Sequence, residues 1–303
     1  MMRTLLRKRA LMVVVWTGLL ATAAAEEVDW TALNPGFAGA TFVNDAGACE
    51  ECHDDAMLTY QHTEHGRAFA YGPKGELQKR NCEACHGPRN KHAEADDPDD
   101  SLALTPAQTS QVCLQCHQDG ARLNWQGSLH AATDVQCVSC HRVMEPQRVN
   151  GLLNQSTELA TCSECHADVQ SQMLKASHHP VREGKMSCSS CHDPHGSVGR
   201  SLLQKSTVNE TCFDCHQEKR GPFLWEHPVA REDCATCHTP HGSNNADLLN
   251  AKGAFLCMQC HSYGGHINLP RYNRVSNPYG QGCVNCHSTQ HGSNHPSGAK
   301  FTR

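Results

Sequence analysis

Ten times in 303 residues the chain repeats Cys-x-x-Cys-His, and no cysteine lies outside the repeats. The motifs are Cys49/Cys52/His53, Cys82/Cys85/His86, Cys113/Cys116/His117, Cys137/Cys140/His141, Cys162/Cys165/His166, Cys188/Cys191/His192, Cys212/Cys215/His216, Cys234/Cys237/His238, Cys257/Cys260/His261 and Cys283/Cys286/His287. Such a run offers two thiols for thioether bonds to the vinyl groups of a haem and a histidine for its iron. A disulfide scaffold has no reason to place His after every second Cys, and zinc ribbons pair two Cys-x-x-Cys units without that uniform His. The expected cofactors are ten c-type haems, attached through the 20 cysteines with the ten motif histidines as proximal ligands.

That cofactor load dictates the fold class. Residues 1–25 read as a secretory signal peptide, with Arg3, Arg7, Lys8 and Arg9 as its basic region, Ala10 to Leu20 as its apolar stretch and Ala23-Ala24-Ala25 as the cleavage site. About 278 residues remain, fewer than 30 for each porphyrin, and only 5% of the chain is aromatic. An ordinary apolar core cannot be assembled from so little. The macrocycles must supply it, and a haem-free chain is expected to be unfolded or molten. The expected architecture is a multihaem cytochrome c with little regular structure, short α-helices and long loops wrapped around an elongated row of ten haems. A soft boundary near residue 170 divides it into two pentahaem halves, 26–170 and 171–303.

Charge and hydropathy exclude other classes. Without the four leader cations, 22 Lys and Arg face 31 Asp and Glu, a formal −9, so nucleic acid is not an expected partner. The apolar leader is too short to span a bilayer, and no later segment approaches the roughly 20 apolar residues that spanning needs. The acidic run Asp96-Asp97-Pro98-Asp99-Asp100 reads as a solvated loop.

The motifs alternate between two kinds, which exposes a unit of two haems in about 50 residues, repeated five times. Odd-numbered motifs follow Leu-Leu segments, as in Gly151-Leu152-Leu153-Asn154, Ser201-Leu202-Leu203-Gln204 and Asp247-Leu248-Leu249-Asn250. Even-numbered motifs follow a segment ending in His. Twelve histidines lie outside the motifs: His62, His65, His92, His130, His178, His179, His195, His227, His241, His266, His291 and His295. The repeat selects His65, His130, His179, His227 and His266 before even motifs, and His92, His195, His241 and His291 after them, as distal ligands. His166 and His179 are 13 residues apart, about 20 Å along a helix, so His179 must serve a haem other than that of His166. The same holds for His195, one turn from His192. At the fourth motif Met144 stands where His195 and His241 stand in theirs, and the open place on the fourth haem falls to Met144 or to His178. Methionine is a legitimate axial ligand and raises the reduction potential relative to histidine. His62 and His295 read as surface or propionate-side residues.

The stretches Cys188-x-x-Cys-His-Asp-Pro-His-Gly-Ser, Gly221-Pro222-Phe223-Leu224-Trp225-Glu226-His227, Cys234-x-x-Cys-His-Thr-Pro-His-Gly-Ser and His291-Gly292-Ser293-Asn294-His295-Pro296-Ser297-Gly298 resemble the MtrA/DmsE family of decahaem c-type cytochromes. The resemblance runs from about Cys49 to the C-terminus. It implies bis-His ligation at the positions above, failing at Met144. It also implies a periplasmic electron conduit set in an outer-membrane β-barrel porin, with no transmembrane segment of its own. Such a conduit passes electrons between periplasmic cytochromes and an extracellular multihaem cytochrome or terminal reductase, outward to metal or DMSO or inward from Fe(II). A soluble periplasmic shuttle is the alternative, and a multihaem reductase of nitrogen or sulfur oxyanions a more distant one. Coordinatively saturated haems leave no open position for substrate, which favours electron transfer over catalysis.

Overall fold

The computed structural model describes residues 27–95, 102–148, 150–261 and 282–302. The leader, the Asp96–Asp100 run and His266 lie outside them. Helices among the described residues are short, and the longest, Pro106–Leu114, has nine residues. It starts at a full capping box, with Thr105 and Gln108 each satisfying the other's backbone N–H. Thr157 and Thr207 likewise accept from the third N–H of the helices Glu158–Ser163 and Val208–Phe213. Each of these three helices delivers an odd-numbered motif, so the Thr caps mark where each unit begins. Among the described residues strand structure is confined to Trp225–Glu226 paired antiparallel with Gly292–Ser293, in the register Trp225 opposite Ser293. Short helices, loops and very little sheet are what the sequence led one to expect.

The repeat is visible in the backbone. His141 bridges Leu153, His192 bridges Leu203 and His238 bridges Leu249. Each bridge is fixed by paired bonds, such as Asp193 N–H to Leu202 O at 2.7 Å and Gln204 N–H to Cys191 O at 2.9 Å. The Leu-Leu segments therefore belong to the preceding even motif, against which they fold back, as much as to the odd motif that follows.

One feature departs from expectation. Trp30, Leu33, Phe37, Leu102 and Val112 form a buried cluster made of protein alone. Glu83 ties this cluster to the second motif, its carboxylate accepting the N–H groups of Val43 (3.0 Å), Asn44 (2.8 Å) and Arg89 (2.9 Å). The first two motifs are separated by 29 residues between Cys52 and Cys82 and the next two by 27 between Cys85 and Cys113, against 18–22 elsewhere, and the segment ahead of Cys49 has no motif to cover. That surplus chain is what lets a small apolar core form here. The position near residue 170 falls inside the helix Ala167–Met173.

Candidate haem-binding site

The histidines come together in twos. His53 lies beside His92 (ring centroids 6.1 Å apart), His117 beside His65 (5.7 Å), His166 beside His130 (6.2 Å) and His141 beside His195 (6.0 Å). His192 lies beside His241 (6.0 Å), His216 beside His179 (6.3 Å), His238 beside His291 (6.1 Å) and His261 beside His227 (6.0 Å). Every pair joins one motif histidine to one histidine outside the motifs. A metal–imidazole bond is about 2.0–2.1 Å and a ring centroid sits roughly 1.1 Å behind its nitrogen, so two trans imidazoles on one iron have centroids about 6.3 Å apart. Seven of the eight spacings, 6.0–6.3 Å, fit a haem iron between the rings; His65 and His117 sit closer, with their Nε2 atoms 3.4 Å apart, and would have to part to admit one. Among the described residues no group of three or more His, Cys, Asp or Glu side chains gathers into a metal cage.

Burial pushes His65, His117, His195, His241 and His291 below the ordinary histidine range. Desolvation thus favours the neutral imidazole, the form that ligates a metal.

Backbone carbonyls aim the rings. The Nδ1 of His141, His192, His238 and His287 meets the carbonyls of Gly151 (2.7 Å), Ser201 (2.9 Å), Asp247 (2.7 Å) and Lys300 (2.5 Å). Each donation leaves Nε2 free for the iron and fixes the ring's rotation. The carbonyls are presented by residues in the left-handed region: Gly151 (φ 80°), Ser201 (φ 53°) and Asp247 (φ 55°), with Leu152, Leu202, Leu248 and Phe301 also at positive φ. The Leu-Leu repeat noticed in the sequence is this carbonyl device, and its role was missed there. At the tenth motif Lys300-Phe301 replaces it without any Leu-Leu signal. On the distal side His130, His179 and His227 donate to the carbonyls of Pro194 (2.8 Å), Pro240 (2.7 Å) and Gln290 (2.9 Å). Those residues immediately precede His195, His241 and His291, so the distal ligands of consecutive haem sites orient one another.

The cysteines form a row. The first cysteines of motifs one and two, three and four, five and six, seven and eight, and nine and ten lie within hydrogen-bonding reach: Cys49 with Cys82, Cys113 with Cys137, Cys162 with Cys188, Cys212 with Cys234 and Cys257 with Cys283. Across the remaining junctions the second cysteines lie near enough for charge to act between them, Cys116 raising Cys85, Cys165 raising Cys140, Cys215 raising Cys191 and Cys260 raising Cys237. These neighbour relations run from the first motif to the tenth.

One expectation needs correction. The residue beside His141 is His195, so the open place is not on the fourth haem. His178 points elsewhere, its Nδ1 meeting the Lys175 carbonyl at 2.7 Å and its Nε2 the Glu183 carboxylate at 3.2 Å. Linear spacing cannot show this, because the sixth, eighth and tenth motifs each supply a histidine to the even site two motifs upstream.

Comparison with known proteins places the same chemistry on the chain. The doubled CXXCH motif family matches residues 178–221 and 227–266, and the family of cytochrome c554 and c-prime matches residues 89–142. The multihaem cytochrome MtrA of Shewanella baltica (strain OS185) is 40% identical over 275 residues, covering 85% of this chain and 81% of that protein. The chain belongs to the MtrA family of multihaem cytochromes. Its Cys-x-x-Cys-His motifs are c-type haem attachment sites, and its business is electron transfer. Among the described residues of this cytochrome no helix is long and apolar enough to cross a membrane.

Proposed function

We propose that the protein holds ten c-type haems and conducts electrons through the periplasm and across the outer membrane, seated in a β-barrel porin. The observation that carries this reading is the succession of histidine pairs and neighbouring cysteines that links the motifs in sequence order. Haems attached at neighbouring points of such a row supply one-electron chemistry along its length. The chain's own residues anchor, aim and saturate. Cysteines would fix each macrocycle covalently, the carbonyls of Gly151, Ser201, Asp247 and Lys300 hold the proximal rings in place, and the histidine pairs would hold the iron from both sides. Closed positions deny a substrate access to iron, which supports conduction rather than enzymatic turnover. His266 is assigned to the haem of His287, as the one repeat-selected histidine left without a site. The porin, the periplasmic donor or acceptor cytochromes and the extracellular cytochrome or reductase follow from the likeness to MtrA and DmsE sequences, as does the outer-membrane location.

Two measurements test this. Intact mass and the pyridine haemochrome assay should return ten haems and no free thiol. Detergent extraction should copurify the cytochrome with a β-barrel protein, and liposomes carrying both should let external dithionite reduce a viologen trapped inside. A cytochrome found wholly in the soluble fraction, with no barrel attached, overturns the conduit in favour of a periplasmic shuttle.

A further inference from the structure

The second haem site is the odd one. Its proximal histidine, His86, faces no other imidazole among the described residues. At the fourth, sixth and eighth sites the distal arrangement follows one rule of translation. His195, His241 and His291, each just after an even motif, face His141, His192 and His238, the proximal histidines two motifs upstream. Moving the rule one unit toward the N-terminus puts the residue after the fourth motif opposite His86. That residue is Met144.

Local packing supports the same register. Two residues past His241 and His291 the chain pairs with the residue two before His179 and His227: Ser243 with Ser177, and Ser293 with Trp225. The corresponding residues here are Pro146 and Thr63, and both line one cavity of about 290 Å³, together with Leu58, Thr59 and His62. Pro146 has no N–H to give, so the bridge opens into a cavity. Next to Met144, Glu145 replaces the glycines at 196 and 242, where a Cβ would come within 2.5 Å of Asn124 O and 2.0 Å of Gln172 O. A side chain at 145 therefore holds this loop away from its neighbour. The buried Nδ1 of His65, whose counterparts bond the carbonyl before each distal histidine, accordingly has no partner. A loop held back from its template place favours an unbranched thioether with three rotatable bonds over a rigid imidazole.

From this geometry we infer that Met144 is the distal ligand of the haem carried by Cys82, Cys85 and His86. The inference rests on the multihaem reading. It places one His/Met site at the second position of the row, where methionine ligation raises the potential above that of its bis-His neighbours. Electrons are then held longest at that point when the row is partly reduced.

The test uses the full holoprotein. Near-infrared magnetic circular dichroism should show a His/Met band worth one haem beside a bis-His band worth the rest. In M144H that band should vanish and the bis-His signal grow by one haem. H62A should leave the band untouched. A wild-type spectrum with bis-His signals alone overturns the proposal, as does a His/Met band that survives in M144H. So does loss of one low-spin signal in H62A, which would assign the site to His62. A haem count other than ten in the same samples speaks against the decahaem reading instead. Potentiometry gives the second readout: the highest-potential component of the wild type should move down in M144H.

Discussion

His141 and His195 lie with ring centroids 6.0 Å apart and only 12° between their planes, although 54 residues separate them in the chain. Each such pair ties one unit to the next, so a ligand mutation acts on a haem far away in sequence. His195→Ala should leave the haem of Cys188, Cys191 and His192 low-spin and convert that of Cys137, Cys140 and His141 to a high-spin form. Electron paramagnetic resonance on a variant with unchanged haem content checks this. A spectrum identical to the wild type would contradict the pairing.

The carbonyls that aim the proximal rings are presented at a conformational cost. A non-glycine residue in the left-handed region costs about 1–2 kcal/mol, and Ser201 and Asp247 both sit there where the second unit uses Gly151. Gly151→Ala should destabilise the holoprotein by about 1 kcal/mol. Ser201→Gly should stabilise it by somewhat less, because glycine loses more backbone entropy on folding, roughly 0.5–1 kcal/mol. Guanidinium midpoints of the two variants should therefore move in opposite directions.

How far this arrangement was legible in the sequence differs by residue. The attachment cysteines and motif histidines are written in local spacing, and so is the candidacy of His65, His130, His179 and His227, each one step ahead of an even motif. Which iron each serves is not, because that depends on the offset between stacked units, a long-range relation that spacing does not encode. Met144 shows the consequence. Its break with the pattern was visible, yet it was attached to the fourth site rather than to the site two motifs upstream. The carbonyl role of Leu-Leu segments was hidden for another reason: leucine is not a residue one expects at positive φ, and here packing overrides that preference. The cluster of Trp30, Phe37 and Val112 was missed because its members are scattered over more than 80 residues.

Glu83 holds the N-terminal cluster to the haem-bearing chain. Its side chain is 2% exposed and accepts three backbone N–H groups. Hydrogen bonds to a charged group contribute about 1.5–3 kcal/mol each, and truncation would leave buried donors without partners. Glu83→Ala should therefore loosen residues 41–45 by about 3 kcal/mol or more while sparing the C-terminal units. Limited proteolysis should cut the variant in that segment and leave the wild type intact there; equal protection of both would show that the carboxylate is dispensable.

The cysteine row carries a hazard for the haem-free chain. Hydrogen bonding from Cys113 holds the Cys137 thiol down to about 6, and Cys162 and Cys212 act on Cys188 and Cys234, each held at about 7. The donors Cys113, Cys162 and Cys212 are pushed up in turn. At neutral pH each pair thus presents a thiolate beside a thiol, the arrangement from which an oxidant makes a disulfide. The partners are 24, 26 and 22 residues apart, and closing loops of that length costs little more than closing shorter ones. The haem-free chain is expected to be unfolded or molten, so disulfide pairing reads how much of the row survives in it: where the row persists, Cys113–Cys137, Cys162–Cys188 and Cys212–Cys234 disulfides accumulate in preference to bridges within a Cys-x-x-Cys motif, and more slowly as the pH is taken below 6. Peptide mapping under non-reducing conditions reads the pairing directly. Random pairing, or bridges confined to single motifs, would show that the row forms only after the haems are attached.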